Sequence, residues 1–169
     1  SVAVIFFIME GIVINKYRTL ESISSFDRNG AIIQTERNAK GNYSTYSDSI
    51  PERVEELLLQ KEDRFFYLHP GINPVSILRA LIARMSGKKI GGASTITQQL
   101  SKNLLGNENS RNLYNKVTEL IFALSLETFE SKKNILKMYA NTVYMGNNIQ
   151  GLPTASQFYF NKQLEELTD

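Results

Sequence analysis

Apolar residues recur at helical spacing through almost all of the chain after residue 50, and this pattern constrains the fold more than any other feature. Proline, glycine and asparagine residues interrupt the pattern and mark where one helix ends and the next begins. Ser94 stands where it can cap the third of these helices. The sequence predicts helices over residues 51–62, 74–86, 94–105, 112–129, 132–142 and 153–160.

A short stretch near the start is the one part of the sequence that indicates β-structure. Residues 27–30 (Asp-Arg-Asn-Gly) are a turn signal, and apolar residues follow up to Thr35. A second extended segment is expected at Tyr43–Tyr46. We therefore predict a mainly α fold with a short β or extended element near the N-terminus.

Residues 1–14 are apolar apart from Glu10 and Gly11. A helix that spans a bilayer needs about 20 apolar residues, so this run is too short to span a membrane by itself. It fits either part of a membrane anchor or membrane-contact helix, or an amphipathic helix packed on the domain. We expect residues 1–24 to form a membrane-proximal hydrophobic helix and residues 25–169 to form one further domain.

Composition narrows the chemistry that this chain can perform. A chain of 169 residues with 42% hydrophobic residues can build one domain with a substantial core. Its net charge of +2 is too balanced for a nucleic-acid-binding protein. The sequence has no cysteine and one histidine, His69, which excludes disulfides, thiolate chemistry and the usual zinc clusters. Catalysis must therefore use carboxylates, hydroxyls, amides and cations.

The segment 61–71 contains two adjacent carboxylates at the end of a predicted helix. Val54, Leu58 and Glu62 lie four residues apart and share one helix face. Glu62 is a candidate general base, the residue that removes a proton from an attacking group. Taken alone, Glu62 and Asp63 are more typical of exposed charges at a helix end, because such pairs are usually solvated.

A second polar segment, residues 91–103, places two glycines before a helix start. Backbone N–H groups at such a start can hold an anion. Gln98, Lys102 and a hydroxyl from Ser94 or Thr95 lie at helical spacing on one side, a surface that suits a sugar diphosphate. An ordinary capped helix with polar exposed faces is the alternative.

Charged residues also line the long helix that follows. Arg111, Asn115 and Glu119 recur every four residues, with Lys116 beside them. This row can be a ligand-binding face, but taken alone it is more typical of a solvated charged stripe. Farther along, Asn141 lies near a helix end, where it can contact a ligand or satisfy backbone groups.

Together these segments resemble, in order and spacing, the motifs of the family 51 peptidoglycan glycosyltransferases. That family includes monofunctional cell-wall polymerases and the N-terminal domains of class A penicillin-binding proteins. The resemblance covers about residues 50–162. The matching residues of the first three motifs are Glu62, Asp63, Phe66, His69 and Gly71; Gly92, Ser94, Thr95, Ile96, Thr97, Gln98, Gln99, Lys102 and Asn103; and Arg111, Lys116 and Glu119. Those of the fourth and fifth motifs are Lys132, Ile135, Leu136, Tyr139, Asn141, Tyr144 and Gly146, and Gly151, Ala155, Tyr159 and Phe160.

The resemblance implies a lysozyme-like α-domain with a small hydrophobic jaw lobe against the bilayer, and lipid II with a growing glycan chain as substrates. It implies that Glu62 is the general base of an inverting transfer that releases undecaprenyl diphosphate. It also implies that Glu119 is a second functional carboxylate, which orients substrate or cations. The residues that the resemblance assigns to substrate binding are Asp63, His69, Ser94, Thr95, Gln98, Gln99, Lys102, Arg111, Lys116 and Asn141.

The resemblance also concerns partners and location. It implies membrane lipid and other cell-wall synthesis proteins as partners, and a place on the outer face of the bacterial cytoplasmic (inner) membrane. We expect Phe6, Phe7 and Ile8 to contact lipid there. No cofactor follows from the resemblance beyond a divalent cation such as Mg²⁺ or Mn²⁺ that would help a diphosphate leave, and the sequence shows no ligand cluster for a metal.

Two departures from the family pattern matter. Asn115 stands where the third motif usually carries arginine, so one cation for a diphosphate is missing. The chain ends at Asp169, although family domains usually continue through further helices, so we expect a truncated domain. Two other interpretations therefore stay open: a lysozyme-like enzyme that cleaves peptidoglycan, and an inactive cell-wall scaffold.

Overall fold

The computed structural model describes residues 11–29, 32–75, 82, 86, 94–106 and 112–167 of the chain. The chain divides into two compact units: unit 1 comprises Ser1–Pro51 and Lys137–Asp169, and unit 2 comprises Glu52–Leu136. The described residues are mainly helical, with a small two-stranded sheet near the N-terminus. This confirms the predicted fold class and is consistent with a lysozyme-like domain.

The described part of unit 1 starts with helical residues 11–18, here called α1, and continues with a β-hairpin. Strands β1 (Ser24–Phe26) and β2 (Ile32–Thr35) pair antiparallel, which confirms the short β element expected near the N-terminus. Within the turn, Oδ1 of Asp27 accepts a hydrogen bond from Asn29 N at 2.8 Å. An aspartate that bonds the backbone two residues ahead stabilises a turn locally, so the turn chemistry that the sequence carries sets this hairpin.

Unit 2 contains α2 (Glu52–Glu62), a 3-10 turn (Phe66–Leu68), α3 (Ile96–Leu105) and α4 (Leu113–Phe129). Helices α3 and α4 pack against each other. The buried apolar side chains of the unit are Phe66, Ile96, Leu100, Leu104, Phe122, Ala123, Leu126, Ile135 and Leu136. Burying a large apolar side chain contributes about 1.5–3 kcal/mol, so this core holds the two helices together.

Local sequence sets both ends of α3. Its N-cap is Thr95 and not Ser94 as predicted: the Thr95 hydroxyl accepts from Gln98 N at 3.2 Å, and Gln98 Oε1 accepts from Thr95 N at 3.3 Å. This reciprocal capping box satisfies two backbone N–H groups that a helix start leaves open. The helix ends at Gly106, which has φ of +73° and donates its N–H to Lys102 O, as a glycine C-cap does.

Helix α5 (Lys132–Thr142) begins in unit 2 and ends in unit 1. Helix α6 (Leu152–Phe160) and a 3-10 turn (Leu164–Glu166) complete unit 1. Pro153 lies in the first turn of α6, where its missing N–H costs no helical hydrogen bond. The predicted helices over 132–142 and 153–160 are confirmed.

The extended segment expected at Tyr43–Tyr46 is shorter in the structure. Tyr43 forms a single parallel bridge with Ile149, in which Tyr43 N donates to Asn148 O and Gln150 N donates to Tyr43 O. The partner of this bridge lies in the connection between α5 and α6, far away in the sequence. The expectation of a strand over this segment was therefore wrong beyond one residue.

Parts of the predicted organisation lie outside the described residues. These parts include Phe6, Phe7 and Ile8, for which lipid contact was expected, and most of the predicted helix 74–86, of which residues 74, 75 and 82 are helical. Among the residues that the structure describes, no helix is both long enough and apolar enough to cross a membrane. The division of the chain after residue 24 stays a prediction.

Candidate active site

Glu62 is the last residue of helix α2, and its side chain is exposed. Its Oε2 accepts a hydrogen bond at 3.0 Å from Nε2 of Gln99, on helix α3. The two residues are 37 positions apart in the sequence. The structure therefore brings together two predicted site residues from different motifs, and an amide donor orients the accessible carboxylate.

Asp63, the next residue, is paired inside unit 2 and only 7% exposed. Both of its carboxylate oxygens lie 3.0 Å from Nε2 of His69, and Oδ2 also accepts from the backbone N–H of Ile96 at 3.1 Å. A negative charge at the start of a helix is favourable, because the helix dipole is positive there. Asp63 thus ties the end of α2 to the start of α3 while Glu62 stays accessible.

Side chains of the protein itself accept hydrogen bonds from two backbone N–H groups at the start of α3. Ile96 N donates to Asp63, and Gln98 N donates to the Thr95 hydroxyl. The sequence argument for a ligand anion at this helix start therefore does not hold for these two N–H groups. The two glycines that precede the helix lie outside the described residues.

Thr95, Gln98 and His69 form a buried support around this helix start. Thr95 and Gln98 are 2% and 1% exposed, and His69 is 8% exposed. The Thr95 hydroxyl also donates to Gly71 O at 2.6 Å, which fastens the turn after His69 to α3. These residues hold the scaffold beside Glu62, and their contact with substrate stays a prediction.

Two further predicted site residues remain accessible at the two ends of α3. Lys102 is exposed in the last turn and forms no ion pair with a described carboxylate. Ser94 is half-buried immediately before the N-cap. Across the described ranges, no three His, Asp or Glu side chains lie close enough together to hold a metal ion. The exposed Lys102 is a cation that unit 2 can offer to an anionic ligand.

Helix α4 carries the predicted pair Lys116 and Glu119, and the structure joins them by a hydrogen bond from Lys116 Nζ to Glu119 Oε1. The Glu119 side chain is 11% exposed and that of Lys116 is 45% exposed, so the carboxylate supports a cation that reaches solvent. Asn112 is the N-cap of α4, and Asn115 and Glu119 of the expected row lie on this helix. Arg111, the first residue of that row, lies outside the described residues.

Asn141 belongs to unit 1 and is 1% exposed. Its Nδ2 donates to Tyr17 Oη at 2.8 Å and to Ser47 O at 3.0 Å, and its Oδ1 accepts from Ser47 N at 3.1 Å. These bonds use both donors of the amide and join α5 to the N-terminal part of the unit. Burial raises the pKa of Tyr17 to about 12, although the bond from Asn141 acts in the opposite sense. A substrate contact of Asn141 stays a prediction.

Glu127, on α4, is a residue that the sequence analysis missed. Its Oε1 accepts hydrogen bonds from Lys132 Nζ at 2.8 Å and from the Thr97 hydroxyl at 2.5 Å. Its side chain is 9% exposed. Glu119, Ala123 and Glu127 lie at four-residue steps, and Ala123 is fully buried. Helical spacing was therefore the signal that placed Glu127 on the inner face of α4.

Comparison with known proteins gives matches over most of the chain. The sequence model of the family described as transglycosylase matches residues 29–169. The chain is 40% identical to penicillin-binding protein 4 of Bacillus subtilis (strain 168) over 146 residues, which are 85% of this chain and 23% of that relative.

Two further relatives give similar matches. The chain is 42% identical to penicillin-binding protein 1A of Aquifex aeolicus (strain VF5) over 122 residues, which are 72% of this chain and 17% of that relative. It is 43% identical to penicillin-binding protein 1B of Escherichia coli (strain K12) over 123 residues, which are 70% of this chain and 14% of that relative. The chain thus spans less than a quarter of the length of each of these three proteins.

Proposed function

This chain belongs to the transglycosylase family (glycosyltransferase family 51), and from that premise we propose that it polymerises lipid II into β-1,4-linked peptidoglycan strands. The observation that carries the proposal is the exposed Glu62 carboxylate, oriented by Gln99 and followed by an Asp63 that is anchored to α3. A general base needs to reach the proton that it takes and to be held in place while it does so. The exposure of Glu62 and its hydrogen bond from Gln99 support this role.

The proposed reaction is one displacement at the anomeric carbon of the donor. Glu62 takes the proton of the acceptor sugar's 4-hydroxyl while that oxygen forms a bond to the anomeric carbon of the growing chain. The bond from this carbon to the lipid diphosphate breaks on the opposite side, so the configuration inverts. Undecaprenyl diphosphate leaves with the electron pair, and Glu62 then passes its proton to solvent.

The diphosphate leaves with its negative charge and needs cations more than a protonating acid. Lys102 on α3 and Lys116 on α4 are exposed, and the two helices pack together. The hydrogen bond to Glu119 orients Lys116, which is the role that we assign to this second carboxylate. We assign both lysines, with Arg111, to the diphosphate. Asn115 stands where the family usually has arginine. Because asparagine is neutral, this position adds no charge to the set.

The proposed substrates are lipids, which places the reaction at a membrane. We propose that the chain works on the outer face of the bacterial cytoplasmic membrane, with membrane lipid and cell-wall synthesis proteins as partners.

A lysozyme-like enzyme that cleaves peptidoglycan is the rival function. Glycoside hydrolases use two carboxyl groups, of which one protonates the leaving alcohol. Asp63, beside Glu62, is bound to His69 and to α3, and Glu119 is paired with Lys116. Neither carboxylate is left for that task, which favours transfer from a lipid diphosphate donor.

The test is to incubate the full chain with labelled lipid II in detergent and to separate the products by size. We expect long glycan strands from the natural sequence and a loss of about 10²–10⁴-fold in rate for Glu62→Gln, the range that a general base contributes. Glu56→Gln is the matched control, because Glu56 is an exposed carboxylate on the same helix, paired with Arg53.

The other outcomes separate the rival functions. Unchanged polymer from Glu62→Gln would sink the role assigned to this residue. Shortening of preformed glycan strands would identify the cleaving enzyme. Binding of lipid II without any polymer would identify the scaffold.

A further inference from the structure

We propose that Glu127 is a positioning residue for this reaction: together with Lys132 it clamps the turn that follows Glu62 onto helices α3 and α4. The reaction itself rests on the function proposed for Glu62. The Glu127–Lys132 clamp is built from contacts within unit 2. From the sequence, Lys132 was named only as a residue of the fourth motif, and Glu127 was not named.

The clamp is a shielded ion pair with a third partner. Lys132 Nζ lies 2.8 Å from Glu127 Oε1, and the two side chains are 22% and 9% exposed. The Thr97 hydroxyl donates to the same oxygen. Removing one member of a buried ion pair is costly, because the other is left as an uncompensated charge. The pair is therefore a rigid junction between α3, the end of α4 and the start of α5.

Lys132 connects the clamp to the turn that follows the candidate base. Its Nζ also donates to His69 O at 2.7 Å and lies 4.3 Å from the centre of the Phe66 ring, within cation–π range. Phe66 is fully buried. The His69 ring in turn binds the carboxylate of Asp63, the residue after Glu62. One cation thus connects the clamp to the residue next to the base.

The turn also fits closely against Glu127 itself. Gly71 has φ of +80°, and a Cβ at this position would lie 2.7 Å from Glu127 Cγ and 3.2 Å from Ala123 O. The backbone therefore approaches the α4 side chain as closely as a glycine allows. Glu127 supports the turn both by this contact and through Lys132.

Loss of the Glu127 charge should affect the rate more than substrate binding. Lys132 would lose its anion and would be drawn toward solvent, which releases the carbonyl of His69. Of the lysines assigned to the diphosphate, Lys116 pairs with Glu119 and not with Glu127, and Lys102 forms no ion pair with a described carboxylate. A misplacement of about 1 Å at a reacting group costs on the order of 100-fold in rate. The expected signature is a lower kcat with an unchanged KM.

The experiment combines kinetics with a spectroscopic readout of the turn. In the Glu127→Gln variant of the full chain we expect kcat for lipid II polymerisation to fall by about 100-fold, with KM within about twofold of the unsubstituted chain. His69 is the one histidine of the chain, so its ring gives unambiguous ¹H–¹⁵N signals. A carboxylate can only accept, so Nε2 carries a proton held by Asp63, and we expect Glu127→Gln to lose protection of this proton.

Controls and alternative outcomes distinguish a positioning role of Glu127 from a general contribution of Glu127 to stability. Glu130→Gln, three residues after Glu127 and bonded to Asn134 instead of Lys132, should change neither readout. A Glu127→Gln protein that melts earlier but keeps its kcat and its His69 signals below the melting temperature would overturn the proposal. If that variant does not fold, Thr97→Val removes one donor to Glu127 at nearly equal volume and must shift both readouts in the same direction. If the unsubstituted chain forms no polymer, the proposed function fails, and the His69 signals alone decide whether Glu127 holds the turn.

Discussion

Replacing Gly71 by alanine would measure how tightly the turn after His69 packs against α4. The residue has φ of +80°, a left-handed conformation that costs a residue with a Cβ roughly 1–2 kcal/mol. The added Cβ would also meet Glu127 Cγ at 2.7 Å, below the 3.0 Å that real Cβ atoms essentially never cross. Glu127 must therefore move.

The size of the effect follows from what Glu127 then loses. Displacing its carboxylate weakens the bonds from Lys132 and Thr97. A hydrogen bond to a charged group contributes about 1.5–3 kcal/mol, so the loss of one such bond plus the backbone strain amounts to about 2.5–5 kcal/mol. Gly106→Ala is the matched control, because Gly106 has φ of +73° in the same unit and nothing within 4 Å of an added Cβ. The Gly106→Ala variant should lose only the roughly 1–2 kcal/mol of backbone strain.

Urea unfolding followed by circular dichroism would compare the two variants. With a slope of about 1–3 kcal/mol per molar urea, the extra loss of 1.5–3 kcal/mol in Gly71→Ala should lower its midpoint by roughly 1 M relative to Gly106→Ala. Equal midpoints would refute the reasoning, because the approach of the turn to Glu127 would then cost nothing.

Two further predictions concern the cap of α3 and the alkaline limit of stability. Thr95→Ala should lower the free energy of unfolding by about 1–2 kcal/mol in thermal melts, whereas Ser94→Ala should leave it nearly unchanged; equal losses would contradict the assignment of the cap. Tyr17 has its pKa raised from 10.0 to about 12 by burial, so the unfolded chain releases this proton first and folding stability should fall as pH rises from 10 to 12. Urea midpoints measured across this range should fall less steeply for Tyr17→Phe, and parallel slopes would argue against the shift.

The helices after residue 94 could be predicted because their signals are local. Helix α4 ends at Phe129 and α5 spans Lys132–Thr142, as the sequence indicated, since capping residues and apolar periodicity act within a few residues. The hairpin around Asp27 is predictable for the same reason. The local sequence did not show whether Ser94 or Thr95 is the N-cap of α3. The Thr95 hydroxyl also donates to Gly71 O, 24 residues earlier, and this contact is not local.

The residues of the candidate site could be named from the sequence, but not their surroundings. Glu62 and Asp63 are adjacent and chemically alike, yet one is exposed and the other is buried against His69. The difference depends on the start of α3, which lies 33 residues after Asp63 and supplies the N–H of Ile96. Glu127 was missed because a carboxylate on a helix is usually solvated, and its inner partners come from other segments.

Unit 1 is built from two separate segments of the chain, and this limits the order in which the protein can fold. Its core combines the segment before residue 52 with the segment after residue 136. During synthesis the early segment must wait for the later segment with the end of α5 and with α6. Unit 2 is continuous and can form as soon as it leaves the ribosome. At about 5–20 residues per second this wait lasts on the order of 10 s. Throughout that interval the exposed early segment is open to capture by chaperones or by a membrane.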